Sequence, residues 1–355
     1  MKKYLIIGNA ENTHMLKWVR SLACYFEVYL ISSKTTLPAI HETLPADHIF
    51  DLGTNVSEEG GNYKLLLKLW KVRKIIKKTD PDLVNAHYIT SHGFLAALVK
   101  KLSTKNFILV QSAWGSDILV TPFRNKLFKW ITRFCLRNAD VVTSDSHHMT
   151  EVISSLAPVK TLTFSFGLEK LPLYDTVVKE DYLFYSNRML SENYNIGETI
   201  RFFGQIAAVK QQARLVIAHD GPSRKYLEQL VGELGLNNKI TFMGFVSEEE
   251  QDINYKKARF FISIPTSDAT SVSLLEAMAY GCIPIVSDIP ANHEWISNGV
   301  NGIFYHKHKT RVEEIINVLK EGALIAERNR EIIKKRAIFP DAIRDYVEYL
   351  KTLSP

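Results

Sequence analysis

The sequence predicts an α/β protein built from two doubly wound parallel sheets, and three observations carry that prediction. Short apolar runs alternate with helical periodicities along the whole chain, the pattern of βαβ units rather than hairpins. The alternation pauses once, between Gly167 and Lys179, where Gly167, Pro172 and the lack of a period mark a linker. A chain of 355 residues with 46% hydrophobic content also exceeds one ordinary core. The expected division is residues 1–170, residues 171–338 and a C-terminal helix within 339–355 that packs back on the first domain.

In chain order, strands are expected at 3–8, 28–31, 83–86, 107–110, 141–143 and 161–164 in the first domain. Helices are expected at 13–24, 63–78 and 123–137. The second alternation places strands at 182–185, 215–218, 240–242, 260–264, 283–286 and 302–305. Helices follow at 197–208, 223–234, 248–257 and 273–280, with later ones from about Arg311 and about Pro340. In such sheets polar ligands bind at the carboxyl ends of the strands.

The net charge of +6 is uneven, +8 over residues 1–170 and −2 over the rest, which points to an anionic partner for the first half. Two segments concentrate it. Lys64, Lys68, Lys71, Arg73, Lys74, Lys77 and Lys78 alternate with apolar residues around Trp70, and Arg124, Lys126, Lys129, Arg133 and Arg137 do so around Trp130. Basic amphipathic helices rest on anionic membranes or are ordinary solvated faces of a doubly wound fold. Their clustering favours the membrane. Nucleic acid is not indicated, because no helix-turn-helix, zinc-finger or RNA-recognition signature occurs. No apolar run reaches the roughly 18 residues of a membrane span, and the N-terminus reads as a core strand rather than a signal peptide. A cytoplasmic protein, peripheral on the inner face of the cell membrane, is expected. Cys24, Cys135 and Cys282 are scattered and embedded in apolar segments, so buried thiols rather than disulfides or a metal cluster are expected.

The chemistry centres on Ser267–Tyr280. Small polar residues follow an apolar run and lead into a strong helix former, the arrangement in which backbone amides and a helix dipole approach a diphosphate. Asp268 and Glu276 lie eight positions apart across that turn. Arg188 closes the first strand of the second domain with a fork suited to phosphate oxygens or to a surface ion pair. In the first domain, Gly8 ends a strand but lacks the further glycines of a dinucleotide fingerprint, which excludes a nicotinamide dehydrogenase. His87 follows another strand, as a ligand contact or a core-edge histidine, and Asp117 is an acceptor for a hydroxyl or a turn residue.

Ser267-Asp268-Ala269-Thr270-Ser271-Val272-Ser273-Leu274-Leu275-Glu276-Ala277-Met278-Ala279, with Gly281, Pro284, Glu294 and Asn301-Gly302, resembles the donor-binding signature of glycosyltransferase family 4. Asp220-Gly221-Pro222, Gly244-Phe245-Val246, His14 and Trp18 extend the likeness over nearly the whole chain, most strongly from about 182 to 302. That family comprises retaining, nucleotide-sugar-dependent enzymes of the GT-B fold, two Rossmann-like doubly wound domains facing across a cleft. The resemblance implies a sugar donor, UDP- or GDP-linked, held by Asp268 at the sugar and Glu276 at the ribose. The backbone of Ala269, Thr270, Ser271 and Val272 would lie on the diphosphate or sugar, with Gly8 over it. It further implies no cofactor or metal, and a glycan or lipid-linked glycan acceptor on the first domain near His14, His87, Trp114 and Asp117, in cell-surface polysaccharide assembly. The sequence departs from the family in three places. Asp268 is one methylene shorter than the usual glutamate, Asn193 replaces the lysine that accompanies Arg188 and is itself a candidate donor contact, and Trp114 replaces a histidine. A nucleotide-sugar epimerase and a non-catalytic partner subunit of a glycan-assembly complex are the alternative functions.

Overall fold

The computed structural model describes residues 1–54, 62–173 and 178–354. The chain forms two compact units, Met1–Ser165 with Phe339–Pro355, and Phe166–Ile338.

The sheet of the first unit comprises β1 (Lys3–Gly8), β2 (Glu27–Ser32), β3 (Ile49–Asp51), β4 (Leu83–His87), β5 (Ile108–Ser112), β6 (Val141–Ser144) and β7 (Thr161–Thr163). All pairs are parallel, in the order β3-β2-β1-β4-β5-β6-β7. The order reverses between β1 and β4, the switch point at which loops diverge and leave a crevice. The helices Leu69–Thr79, Phe94–Leu102 and Lys126–Asn138 pack side by side on one face. The helix Phe339–Lys351 belongs to this unit. Phe339 and Tyr346 meet the fully buried Trp18 at 5.2 and 5.9 Å between ring centroids, and the Tyr346 and Tyr4 hydroxyls share a hydrogen bond of 2.7 Å.

The second unit repeats the plan with β8 (Glu180–Ser186), β9 (Arg214–Ile217), β10 (Ile240–Phe242), β11 (Ala258–Ser263), β12 (Ile283–Ser287) and β13 (Ile303–Tyr305). Their order, β10-β9-β8-β11-β12-β13, reverses between β8 and β11. Alternation along the strands divides the core. Phe184, Phe260, Ile262 and Ile285 face the helices Ile196–Val209 and Arg224–Glu233, whereas Tyr185, Phe261 and Val286 face Val272–Ala279 and Gly322–Arg336.

Several boundaries differ from the sequence reading. The passage between units falls after Ser165 instead of at 170, because Gly167 and Leu168 run against Ala337 and stay with the second unit. A Cβ at Gly167 would sit 2.1 Å from the Ala337 carbonyl oxygen, so only glycine permits that approach. Residues 174–177 of the expected linker lie outside the described residues. The expected helix 63–78 is two pieces, Tyr63–Leu66 and Leu69–Thr79. The helix expected over 123–137 breaks at Asn125, whose extended backbone and side-chain bond to the Phe128 amide (2.9 Å) cap a new helix. Cys135 and Cys282 are buried, but Cys24 is exposed, since it caps a helix beyond its last apolar turn.

Candidate active site

In the second unit, Arg188 lies just past β8, and the loop carrying Asp268 lies just past β11, so both reach the switch point of the same sheet. They meet there. Arg188 Nη2 donates to Asp268 Oδ2 at 2.6 Å, Nη1 donates to Ser271 Oγ, and the guanidinium lies 4.4 Å from the Tyr194 ring centroid. Arg188 is only 8% exposed. Burial disfavours its charge, but Asp268, Tyr194 and Tyr255 together raise its pKa above the ordinary value. Burial pushes the Asp268 carboxyl up, and Arg188 and the Ala269 amide oppose that.

Ser271 is also the N-cap of the helix Val272–Ala279, accepting from the Leu274 amide. The amides of Val272 and Ser273 open this helix and have no acceptor within it. Ala269, Thr270 and Ser271 are buried. Glu276 follows on the same helix, and its Oε2 accepts from the Tyr255 hydroxyl at 2.9 Å and from Gln251 Nε2 at 3.2 Å. Asn187 Nδ2 closes the network, donating to Tyr255 Oη at 2.9 Å and Gln251 Oε1 at 3.1 Å. Burial, then the neighbouring Glu276, pushes the Tyr255 phenol well above its ordinary pKa, so it stays a proton donor. Sequence reasoning passed over Asn187, Tyr255 and Gln251. A signal was present: Gln251 and Tyr255 are four apart on one helix face, and Tyr255 is the buried residue of an otherwise acidic and basic helix, Glu248–Lys257.

Asn193 meets the loop that follows β11. Its Nδ2 donates to the Ser267 carbonyl (3.0 Å) and its Oδ1 accepts from Thr266 Oγ1 (2.8 Å), so its amide braces the loop that carries Asp268. Nearby, Gly221 leaves room for the Leu190 backbone, whose carbonyl oxygen would be 2.6 Å from an added Cβ. Phe245, 76% exposed, stands edge-on to His219 at 4.9 Å.

The first unit gathers its candidates at the β1/β4 switch point. Gly8 ends β1 beneath Met15, and an added Cβ there would meet His87 Cβ at 3.4 Å. His87 is fully buried, and its Nδ1 accepts from Trp114 Nε1 at 3.1 Å. Indole only donates, so the proton of the neutral imidazole lies on Nε2, which has no hydrogen-bond partner among the described residues. Burial, aided by His92, lowers the His87 pKa to about 3. Trp114 stacks on Tyr88 at 5.7 Å and lies 5.5 Å from the half-buried His14. Tyr88 has a φ of 68° and opens a π-helical turn, Tyr88–Gly93, a strained geometry that clusters at ligand sites. Asp117 is committed to the backbone. Its oxygens accept from the Ile89 amide (2.7 Å) and the Trp114 amide (3.0 Å), tying the loops after β4 and β5 together.

The outer surface of the three-helix layer is basic and partly apolar. Leu67, Trp70, Phe123, Leu127 and Trp130 are exposed on or beside its helices. A groove of about 340 Å³ is lined by Lys126, Lys129, Trp130, Arg133, Phe134 and Arg137, together with Asn138. No helix among the described residues is long and apolar enough to cross a membrane.

Comparison with known proteins follows this division. The family described as Glycosyl transferases group 1 matches residues 174–338, and Glycosyl transferase 4-like matches residues 3–146. The alpha-monoglucosyldiacylglycerol synthase of Acholeplasma laidlawii is 25% identical over 166 residues, covering 46% of this chain and 41% of that protein. The N-acetyl-alpha-D-glucosaminyl L-malate synthase of Bacillus anthracis is 24% identical over 306 residues, 78% of each chain. Among solved structures, Anabaena Alr3699/HepE in complex with UDP superposes with a TM-score of 0.78 at 18% identity, over 99% of this chain and 100% of that one. With one family match on each unit and the same fold throughout, the chain belongs to the family 4-type glycosyltransferases and has their GT-B fold.

Proposed function

We propose that the protein transfers a sugar, hexosyl or N-acetylhexosaminyl, from a UDP- or GDP-linked sugar donor to a hydroxyl of a glycan or lipid-linked glycan, with retention at the anomeric carbon. The observation that carries this is the convergence of Arg188, Asp268 and the Glu276 helix at one switch point. Glu276, aimed by Tyr255 and Gln251, suits the ribose hydroxyls. Arg188 and the amides at 269–273 suit the diphosphate, and Asp268 suits the sugar.

In the proposed reaction the bond from the anomeric carbon to the phosphate oxygen breaks as the acceptor oxygen attacks from the same face, and the departing phosphate takes the acceptor's proton. Charge develops on the leaving diphosphate, where a buried guanidinium and fixed amide dipoles act most strongly. This route needs no protein base, in keeping with His87, whose Nδ1 is already engaged by Trp114. A lipid-linked acceptor in cell-surface polysaccharide assembly is supported by the basic, tryptophan-bearing helical layer, a face suited to the anionic inner surface of a membrane.

The test is sugar transfer together with calorimetric binding of UDP- and GDP-sugars. Arg188→Ala and Glu276→Ala are each expected to weaken nucleotide binding by roughly tenfold, about 1.4 kcal/mol, and to lower transfer further. Unchanged binding and transfer in both variants would reject the site.

A further inference from the structure

Two of the three nitrogens of Arg188 are engaged by the protein itself: one terminal nitrogen is on Asp268 and the other is on Ser271, Tyr194 lies against the guanidinium face, and Nε has no hydrogen-bond partner among the described residues. Asn193, a neutral side chain, donates to the Ser267 carbonyl and accepts from Thr266 Oγ1 on the same loop. The Arg188 guanidinium thus lies against a carboxylate that is itself buried but for 19% of its side chain. A diphosphate arriving at Arg188 meets a like charge at close range in a poorly solvated place, where such repulsion is costly.

We infer that Asp268 is a specificity-determining residue, an internal counter-anion that sets the site against a sugar-free nucleoside diphosphate and in favour of the sugar-loaded nucleotide. The reasoning is one of hydrogen-bond supply. A carboxylate separated from Arg188 and left in a buried loop needs replacement donors. The hydroxyls of a donor sugar provide them; a free nucleoside diphosphate brings only more acceptor oxygens to the same place. Sugar-loaded nucleotide thus compensates the displaced Asp268, while the product of transfer does not, and the carboxylate returns to Arg188 as the product leaves. The shorter aspartate matters here, since it is already drawn onto the guanidinium at 2.6 Å.

This rests on the proposed sugar-donor site, and the experiment separates the two. Dissociation constants of UDP, UDP-glucose, GDP and GDP-mannose are measured for the wild type, Asp268→Asn and Asp268→Ser, with thermal unfolding of each variant as a check on folding. Removing the charge is expected to tighten binding of the free nucleoside diphosphate roughly tenfold, while the preference for the sugar-loaded form shrinks. A folded neutral variant of either kind that binds the free diphosphate no tighter than the wild type overturns the inference, with the donor site intact. A wild type that binds none of the four nucleotides removes the donor site, and the inference with it.

Discussion

At the scale of single residues, the carboxylate proposed to take the ribose hydroxyls does not stand alone. Glu276 accepts from Tyr255 and from Gln251, and the bond from the Tyr255 hydroxyl is the shorter of these. Tyr255→Phe removes that donor and leaves the ring stacking on Tyr280, 5.3 Å away, in place. Expected is a loss of about 1 kcal/mol in nucleotide affinity. Discrimination between ribose and deoxyribose forms of UDP should fall with it, a readout that general destabilisation would not move; unchanged discrimination would mean that Tyr255 does not aim Glu276. Arg188 could be nominated from a strand end and Asp268 and Glu276 from one loop-helix turn, while the meeting of Arg188 with Asp268 across 80 positions is visible only in the fold. Tyr255, Gln251 and Asn187 were not legible in the sequence, since they meet only where the helix Glu248–Lys257 packs beside β8 and β11. For Asp117 the sequence left a hydroxyl acceptor and a turn residue open, and in the fold its two oxygens accept from the Ile89 and Trp114 amides, the bonding of a turn residue.

At the scale of elements, the strands were legible because buried parallel strands read as continuous apolar runs. β3 escaped, being three half-exposed residues at the sheet edge. The basic segments around Trp70 and Trp130 were legible as amphipathic helices, but their breaks were not, because a cap such as Asn125 also reads as an ordinary polar residue within the pattern. Only the fold sets the helices Leu69–Thr79 and Lys126–Asn138 on either side of Phe94–Leu102, joining two local patterns into one face. Flotation with vesicles containing anionic phospholipid tests that face. Binding is expected at low salt and should weaken at high salt, with Lys126→Glu, Lys129→Glu and Trp130→Ser combined reducing it by about 1 kcal/mol per basic residue lost. No binding at either salt would remove the membrane from the proposed function.

At the scale of the whole molecule, the two units respond differently to acid. His87 and His92, both fully buried in the first unit, are held by burial at about 3 and about 4, against an ordinary 6.5. The unfolded chain therefore takes up protons first as the pH falls. The first unit is most stable above about pH 6.5 and loses up to roughly 1.4 kcal/mol per pH unit for each histidine below that. Four of the five tryptophans, Trp18, Trp70, Trp114 and Trp130, lie in this unit, so unfolding followed by tryptophan fluorescence should shift to lower temperature between about pH 7 and about pH 5. His87→Gln should flatten that slope, and a wild-type midpoint independent of pH would contradict it.

The return of Phe339–Lys351 to the first unit also has a meaning in time. A ribosome makes residues 1–165, then the whole of the second unit, and only afterwards the helix whose Phe339 and Tyr346 close around Trp18. Of these two units, the one begun earlier is completed later. While the second unit is being synthesised, Trp18 and Tyr4 wait for aromatic partners that have not yet been translated.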